Sequence, residues 1–288
     1  MFKKAERKQA KLRLALAGPS GSGKTYSALL MAKGLGGRIA VIDTEQGSAS
    51  LYSDIADFDV LELQAPFTPE RYVEAITAAE AAGYSVLIID SYSHEWTGPG
   101  GCLEANEKLA HQKFKGNTWA AWNETTPRHR QLTNKILTSS LHVICTMRSK
   151  TETVQGEGKK ILKLGMKSEQ RDGTDYEFTV VLDLTHDSHT ALASKDRTKL
   201  FYEPELISEE TGRKLLGWLN SGASPESRAK DLLVDAIADI ASAADMTSLQ
   251  AAFNAAKAIA IGFDDLVAQV VAAKDKRKAE LTPLEQAS

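Results

Sequence analysis

Cysteine is scarce. Two residues in 288 exclude a disulfide scaffold, and neither sits in a zinc-type spacing, since Cys102 follows a glycine-rich run and Cys145 lies among apolar residues. Long apolar runs are missing too. None approaches the ~20 residues that a membrane-spanning helix requires. The opening MFKKAERKQAKLR is basic but has no apolar signal core followed by a small-residue cleavage site, so a cytoplasmic location is expected. There is no excess of positive charge: the formal net charge is -3, so any nucleic-acid contact must come from local basic patches. No repeat or low-complexity tract occurs. What is present is the balance of a globular chain, 42% apolar and 25% charged, long enough for one large domain or one domain with an appendage.

Short apolar runs predict buried strands over residues 12–17, 38–43, 85–90 and 141–147, with a later pair over 178–184 and 190–194. Helices are expected after the first strand, over 69–82 and over 118–138. In the second, Thr68 can cap, Pro69 fits the first turn and Glu70 suits the positive end of the helix dipole. In the third, Pro127 is a break or kink. Early strands that are apolar throughout and alternate with helices predict an α/β fold around a mostly parallel sheet, with ligand groups gathering at its carboxyl edge. After SGASPES the chain is alanine-rich and helical, which predicts a core over residues 1–222 and a small helical region over 223–288. Thr247 and Gln250 have capping-box spacing within that region.

Residues 18–25, Gly18, Pro19, Ser20, Gly21, Ser22, Gly23, Lys24 and Thr25, match the GxxxxGK[ST] phosphate loop in full, between a predicted strand and a predicted helix. Glycines let backbone N–H groups turn inward around phosphate oxygens, and the helix that follows presents its positive end to the same anion. Lys24 can reach terminal phosphates and the Thr25 hydroxyl can ligate magnesium. Tyr26 closes the set of nucleotide-binding candidates. Two strands end in aspartate, Asp43 and Asp90, and either could organise the metal or cap a turn.

Residues 42–49 (IDTEQGSA), 86–91 (VLIIDS) and 144–150 (ICTMRSK) resemble, in order, the RecA segment that carries the catalytic glutamate, the Walker B strand and the strand before the phosphate-sensing turn. Over residues 10–200 the chain resembles the shortened RecA-like ATPases of bacteriophage recombination modules. That resemblance implies a RecA-like P-loop core, ATP and Mg2+ as cofactors, single-stranded DNA as substrate, a homo-oligomer (ring or filament), a single-strand-binding protein as partner and the host cytoplasm as location. It makes Glu45 the general base and Asp90 the magnesium carboxylate. It puts Thr146 where RecA has a phosphate-sensing glutamine, a departure because threonine is shorter. Lys195 and Arg197 resemble the K-x-R element that reaches the phosphate on a neighbouring subunit, where a cation can be worth about 10³-fold in rate.

RecA-type ATPases use loops after the Walker B strand and after the next sheet strand for DNA. The first stretch here offers Trp96, Lys113 and Lys115; the second, residues 148–171, offers Arg148, Lys150, Lys159, Lys160, Lys163 and Lys167. Cations follow a phosphate backbone and aromatic faces stack on bases. Trp119 and Trp122 read instead as part of a helix packed on the sheet, and His186 and His189 as an exposed turn. A P-loop small-molecule kinase and a nucleotide-switched adaptor without turnover are the alternatives.

Overall fold

The structure is a computed structural model that describes residues 7–155 and 161–285, with side chains left aside over 151–155, 161–166 and 283–285. The chain divides into two compact units, Lys11–Leu219 and a second formed by Met1–Ala10 with Asn220–Ser288.

In the larger unit the strands are β1 (Arg13–Gly18), β2 (Ile39–Asp43), β3 (Phe58–Glu62), β4 (Val86–Asp90), β5 (His142–Gln155), β6 (Ile161–Ser168), β7 (Val180–Leu184), β8 (Thr190–Asp196) and β9 (Glu205–Leu206). Their order across the sheet is β3-β2-β4-β5-β1-β7-β8-β9, with β6 paired to β5. The pairings from β3 through β7 are parallel. The β7–β8 and β8–β9 pairings are antiparallel. This is an α/β P-loop NTPase fold with a mostly parallel central sheet, in which β5 separates the phosphate-loop strand β1 from β4.

Both faces of the sheet are covered, which explains the unbroken apolar strands. Along β1, Leu14 and Leu16 enter the core shared with α1 (Lys24–Leu35) and α6 (Glu209–Asn220). Ala15 and Ala17 enter the opposite core, with α2 (Pro69–Ala81) and α5 (Thr118–Thr138). Parallel strands all point to one edge, so the turns after β1, β2 and β4 converge there with the β5 residues from Thr146 to Arg148, and these segments hold the candidate site residues.

Three expectations change. Residues after β4 do not form a loop but two helices, α3 (Ser93–Thr97) and α4 (Cys102–Lys113). The second expected loop is an antiparallel hairpin, because β5 runs eight residues past Met147 and pairs with β6. The alternation Leu162, Leu164, Met166 against Lys163, Gly165, Lys167 is the strand signal there. Pro127 lies inside α5, which runs unbroken through it.

The smaller unit contains α7 (Pro225–Ser242), α8 (Met246–Ala260) and α9 (Asp264–Glu285) around Leu233, Ile240, Leu249, Leu266 and Val270. Lys8 forms a parallel bridge with Ala223 within it. The capping box of α8 belongs to Asp245 and Ser248 rather than to Thr247 and Gln250. The Asp245 carboxylate accepts from the Ser248 N–H at 2.7 Å, and Ser248 Oγ accepts from the Asp245 N–H at 3.1 Å. Aspartate two residues upstream makes the earlier start the better-capped one.

Candidate nucleotide site

The phosphate loop bridges β1 and α1. Gly21 and Gly23 take left-handed backbone angles, φ 77° and 85°, which a side chain would strain. Gly18 is held by crowding instead: a β-carbon there would stand 2.9 Å from the Leu184 carbonyl oxygen. α1 starts at Lys24 with no side-chain cap, so its first N–H groups are free to bind an anion. Lys24 Nζ donates to the Pro19 carbonyl at 2.8 Å, within its own loop. Burial lowers the Lys24 pKa, and the carboxylates of Asp90 and Glu45 act against that.

Asp90 closes the site from β4. Its carboxylate is buried and accepts hydrogen bonds from Thr25 Oγ1 at 2.6 Å and from Thr146 Oγ1. Burial raises its pKa, offset by the two hydroxyls. Asp43, the other strand-end aspartate, caps the turn after β2, accepting from the N–H groups of Glu45 at 2.6 Å and Ala49 at 3.0 Å. Thr146, expected in the phosphate-sensing position, is fully buried and its hydroxyl donates to Asp90.

Glu45 lines a cleft of about 370 Å³ together with Ser20, Gly21, Gly23, Lys24, Thr25 and Arg148. Arg148 donates to Glu45 Oε1 through Nε at 3.0 Å and through a terminal nitrogen at 2.8 Å. This is a correction. Arg148, expected among DNA-binding cations, lines the nucleotide cleft, because β5 passes the sheet edge at Arg148, opposite Gly18, where the turn after β2 carries Glu45. Beside it, Thr44 Oγ1 accepts from the Ser91 N–H at 2.8 Å and lies 2.7 Å from His94 Nδ1. Burial and the neighbouring Arg148 lower the His94 pKa.

Leu51 and Tyr52 complete the cleft with an apolar wall, and Tyr26 meets Tyr52 edge-on at 6.1 Å. The turn after β7 also flanks the phosphate loop. A β-carbon on Gly21 would stand 3.3 Å from His186 Nε2, and one on Gly23 would stand 3.7 Å from His189 Nδ1. Sequence spacing gave no sign of this, since the turn reaches the loop only because β7 is a sheet neighbour of β1.

The residues present fit a magnesium nucleotide. Among the described residues two buried side-chain oxygens lack a partner, Ser22 Oγ in the loop and Ser48 Oγ in the cleft. Both match groups that phosphate oxygens or their hydration would satisfy. Thr25 and Asp90 form a hydroxyl–carboxylate pair suited to the metal.

An AAA domain family model matches residues 10–213. The chain belongs to this family. The AAA core is thus a nucleotide-binding P-loop ATPase domain, and the matched span holds the phosphate loop, Glu45, Asp90 and Arg148. No curated protein matches the chain. Among solved structures it is similar to the crystal structure of the RadB recombinase, with 16% identity, a TM-score of 0.40, and coverage of 68% of this chain and 88% of that one.

Other expected residues lie apart from the cleft. Lys195 Nζ donates to the carbonyls of Asp175 at 2.9 Å and Tyr176 at 2.5 Å, and burial lowers its pKa. Arg197 is exposed, and its side chain makes no ion pair or hydrogen bond among the described residues. Trp96 is corrected as a base platform: it stacks on Trp122 at 5.4 Å and meets His129 at 5.3 Å. Trp119 is corrected in the other direction, since it is 86% exposed. Lys113 pairs with Glu124 at 2.9 Å, Lys150 with Glu169 at 3.5 Å and Lys167 with Asp172 at 2.8 Å. Lys115 is exposed in the turn after α4. Lys159 and Lys160 lie outside the described residues. Lys163 falls on β6 with its side chain outside them.

A buried carboxyl with a raised pKa costs stability once pH exceeds its value in the unfolded chain, and the cost is complete above the folded value. Asp90→Asn is therefore expected to raise the melting temperature of the nucleotide-free protein at neutral pH while abolishing magnesium-dependent tightening of nucleotide binding. Calorimetry with and without Mg2+ and nucleotide checks both halves. A lower melting temperature would show that the two threonine hydroxyls outweigh desolvation.

Proposed function

We propose that the protein hydrolyses ATP with Mg2+ as a homo-oligomer acting on single-stranded DNA, in a recombination role. The observation that carries the hydrolytic part is the cleft itself, where the Glu45 carboxylate shares one wall with Lys24 and Thr25.

The phosphate-loop amides and Lys24 bind and orient the triphosphate. Thr25 and Asp90 hold the metal, which when bound neutralises phosphate charge. Glu45 orients the attacking water and accepts its proton. Phosphoryl transfer needs positioning and charge neutralisation more than covalent help, so this set is sufficient. Arg148 holds Glu45 while the cleft is free and can turn to the terminal phosphate when one is present. The apolar wall of Leu51 and Tyr52 suits a purine face.

Oligomeric action is supported by the division of labour at the end of β8. Lys195 is tied to carbonyls of its own chain, whereas Arg197 is exposed and unengaged, as a cation offered to a neighbouring copy would be. For DNA, the supporting surface combines Trp119 and Lys115 with the cations of the β5–β6 hairpin. The ion pairs of Lys113, Lys150 and Lys167 are at the surface, where such pairs are worth little and phosphate can replace them. The family resemblance adds a bacteriophage recombination setting in the host cytoplasm, with a single-strand-binding protein as a partner for the α7–α9 unit.

Measuring ATP turnover with and without single-stranded DNA tests this reading. Stimulation supports it, phosphate transfer to a metabolite points to a kinase, and binding without turnover points to an adaptor. Glu45→Gln should retain nucleotide binding and lose about 10²-fold or more in turnover; near-normal turnover would remove Glu45 as the base. Arg197→Ala should be inactive alone and regain activity when mixed with Lys24→Ala chains, and no recovery in verified mixed assemblies would rule out an intersubunit site. Trp119→Ala should weaken oligonucleotide binding by about 1–3 kcal/mol per stacked base without changing basal turnover. Fluorescence titration reads this directly, and unchanged affinity would dismiss Trp119 as a platform.

A further inference from the structure

Three helices bring buried side chains of different chemistry to one point. Glu95 of α3 is fully buried, Cys102 at the start of α4 is 1% exposed and His129 of α5 is 5% exposed. Glu95 Oε1 accepts from Cys102 Sγ at 3.0 Å and lies 3.0 Å from His129 Nδ1. All three ligand atoms fall within 4.8 Å of one another. The turn between α3 and α4 forces the meeting: the Gly101 N–H donates to the Gly98 carbonyl at 2.8 Å, and a β-carbon on Gly101 would stand 2.6 Å from the Glu95 carbonyl oxygen.

We propose that Glu95, Cys102 and His129 form a binding site for a structural transition-metal ion of the zinc class. Carboxylate oxygen, thiolate sulfur and imidazole nitrogen are the three donor types zinc takes, and with bonds of about 2.0–2.3 Å a tetrahedron sets such donors about 3.3–3.5 Å apart. The two 3.0 Å contacts need to open by only a few tenths of an ångström. Charge favours the ion as well. A divalent cation with one carboxylate, one thiolate and one neutral imidazole is a neutral cluster, which a dry interior tolerates far better than a lone carboxylate. The guanidinium of Arg128, next to His129 in sequence, is engaged by Glu70 through contacts of 2.6 and 2.8 Å. Trp96, stacked on Trp122, packs against the His129 ring.

Binding forms Zn–S, Zn–N and Zn–O bonds. The thiol proton of Cys102 leaves to solvent, His129 takes the neutral tautomer with its proton on Nε2 so that Nδ1 binds the ion, and no electron changes hands. Gln170 adjoins the three donors: its amide nitrogen donates to Glu95 Oε2 at 3.2 Å and to the Tyr92 carbonyl at 3.1 Å. The ion would thus brace α3, α4 and α5 against the root of the β5–β6 hairpin.

The test uses the full-length chain without nucleotide. Metal analysis after zinc loading should give about one zinc per chain, and cobalt loading should give a thiolate-to-cobalt charge-transfer band. Cys102→Ser keeps a hydrogen-bond donor for Glu95 but removes the soft ligand. It should lose the band, bind zinc at least about tenfold more weakly, and no longer show the fall in melting temperature that chelation causes in the wild type. Wild-type protein that takes up no stoichiometric zinc, a cobalt form without the thiolate band, or undiminished zinc binding in Cys102→Ser would each overturn the proposal. The wild-type measurements decide the matter even if the variant does not fold.

Discussion

The carboxylate of Asp90 is the fixed point of the sheet's carboxyl edge. It sits buried at the end of β4 and takes hydroxyl hydrogen bonds from Thr25, at the start of α1, and Thr146, on β5. One charged group thereby ties the phosphate-loop helix to two adjacent strands, β4 and β5. Burial makes the charged form costly, as the raised pKa shows, and the two hydroxyls recover part of that cost. A residue chosen for stability alone would not place an unpaired carboxylate there. The expense is intelligible if the metal and its nucleotide complete the charge balance, and the unpartnered hydroxyls of Ser22 and Ser48 point to the same completion.

What the sequence disclosed follows the range of the signals involved. The phosphate loop is contiguous, so its eight residues carried their own geometry, and apolar runs bounded by glycine marked β1, β2 and β4. The strand-end aspartates were visible but ambiguous, because only the structure shows Asp43 capping a turn while Asp90 meets Thr25. Arg148 was misread for a similar reason. Its neighbours in sequence are hairpin cations, and its partner Glu45 lies 103 positions away. Trp96 and Trp119 exchanged roles because composition cannot say which face of a helix an indole occupies. Cys102 read as an isolated thiol since Glu95 and His129 reach it from other helices rather than through motif spacing.

The helices after β4 show how local glycine freedom can mislead. Gly98, Gly100 and Gly101 fall in the stretch expected as a DNA loop, yet they make a tight reversal that starts α4 and buries Cys102 beneath Glu95. Glycine here serves close packing, and the mobility it permits in the unfolded chain is spent in folding. The exposed cations and aromatic surface proposed for DNA lie at the turn into α5 and on the hairpin.

That hairpin is continuous with the nucleotide cleft. Arg148 and Lys150 stand two residues apart on β5 and so point to the same side of the strand. One is bonded to Glu45 and the other to Glu169, which flanks β6. If phosphate of a DNA backbone draws Lys150 from Glu169, or a terminal phosphate draws Arg148 from Glu45, the shift acts on a single extended segment with few ways to absorb it. The hairpin root is held by Gln170 and by the Glu169 N–H donating to the Arg148 carbonyl at 2.6 Å, so movement of the strand is passed to the backbone of the residue that holds the proposed base. On the proposed reading, DNA-dependent turnover would require no relay through the core, only that Arg148 release Glu45 more readily when the strand beyond it is occupied.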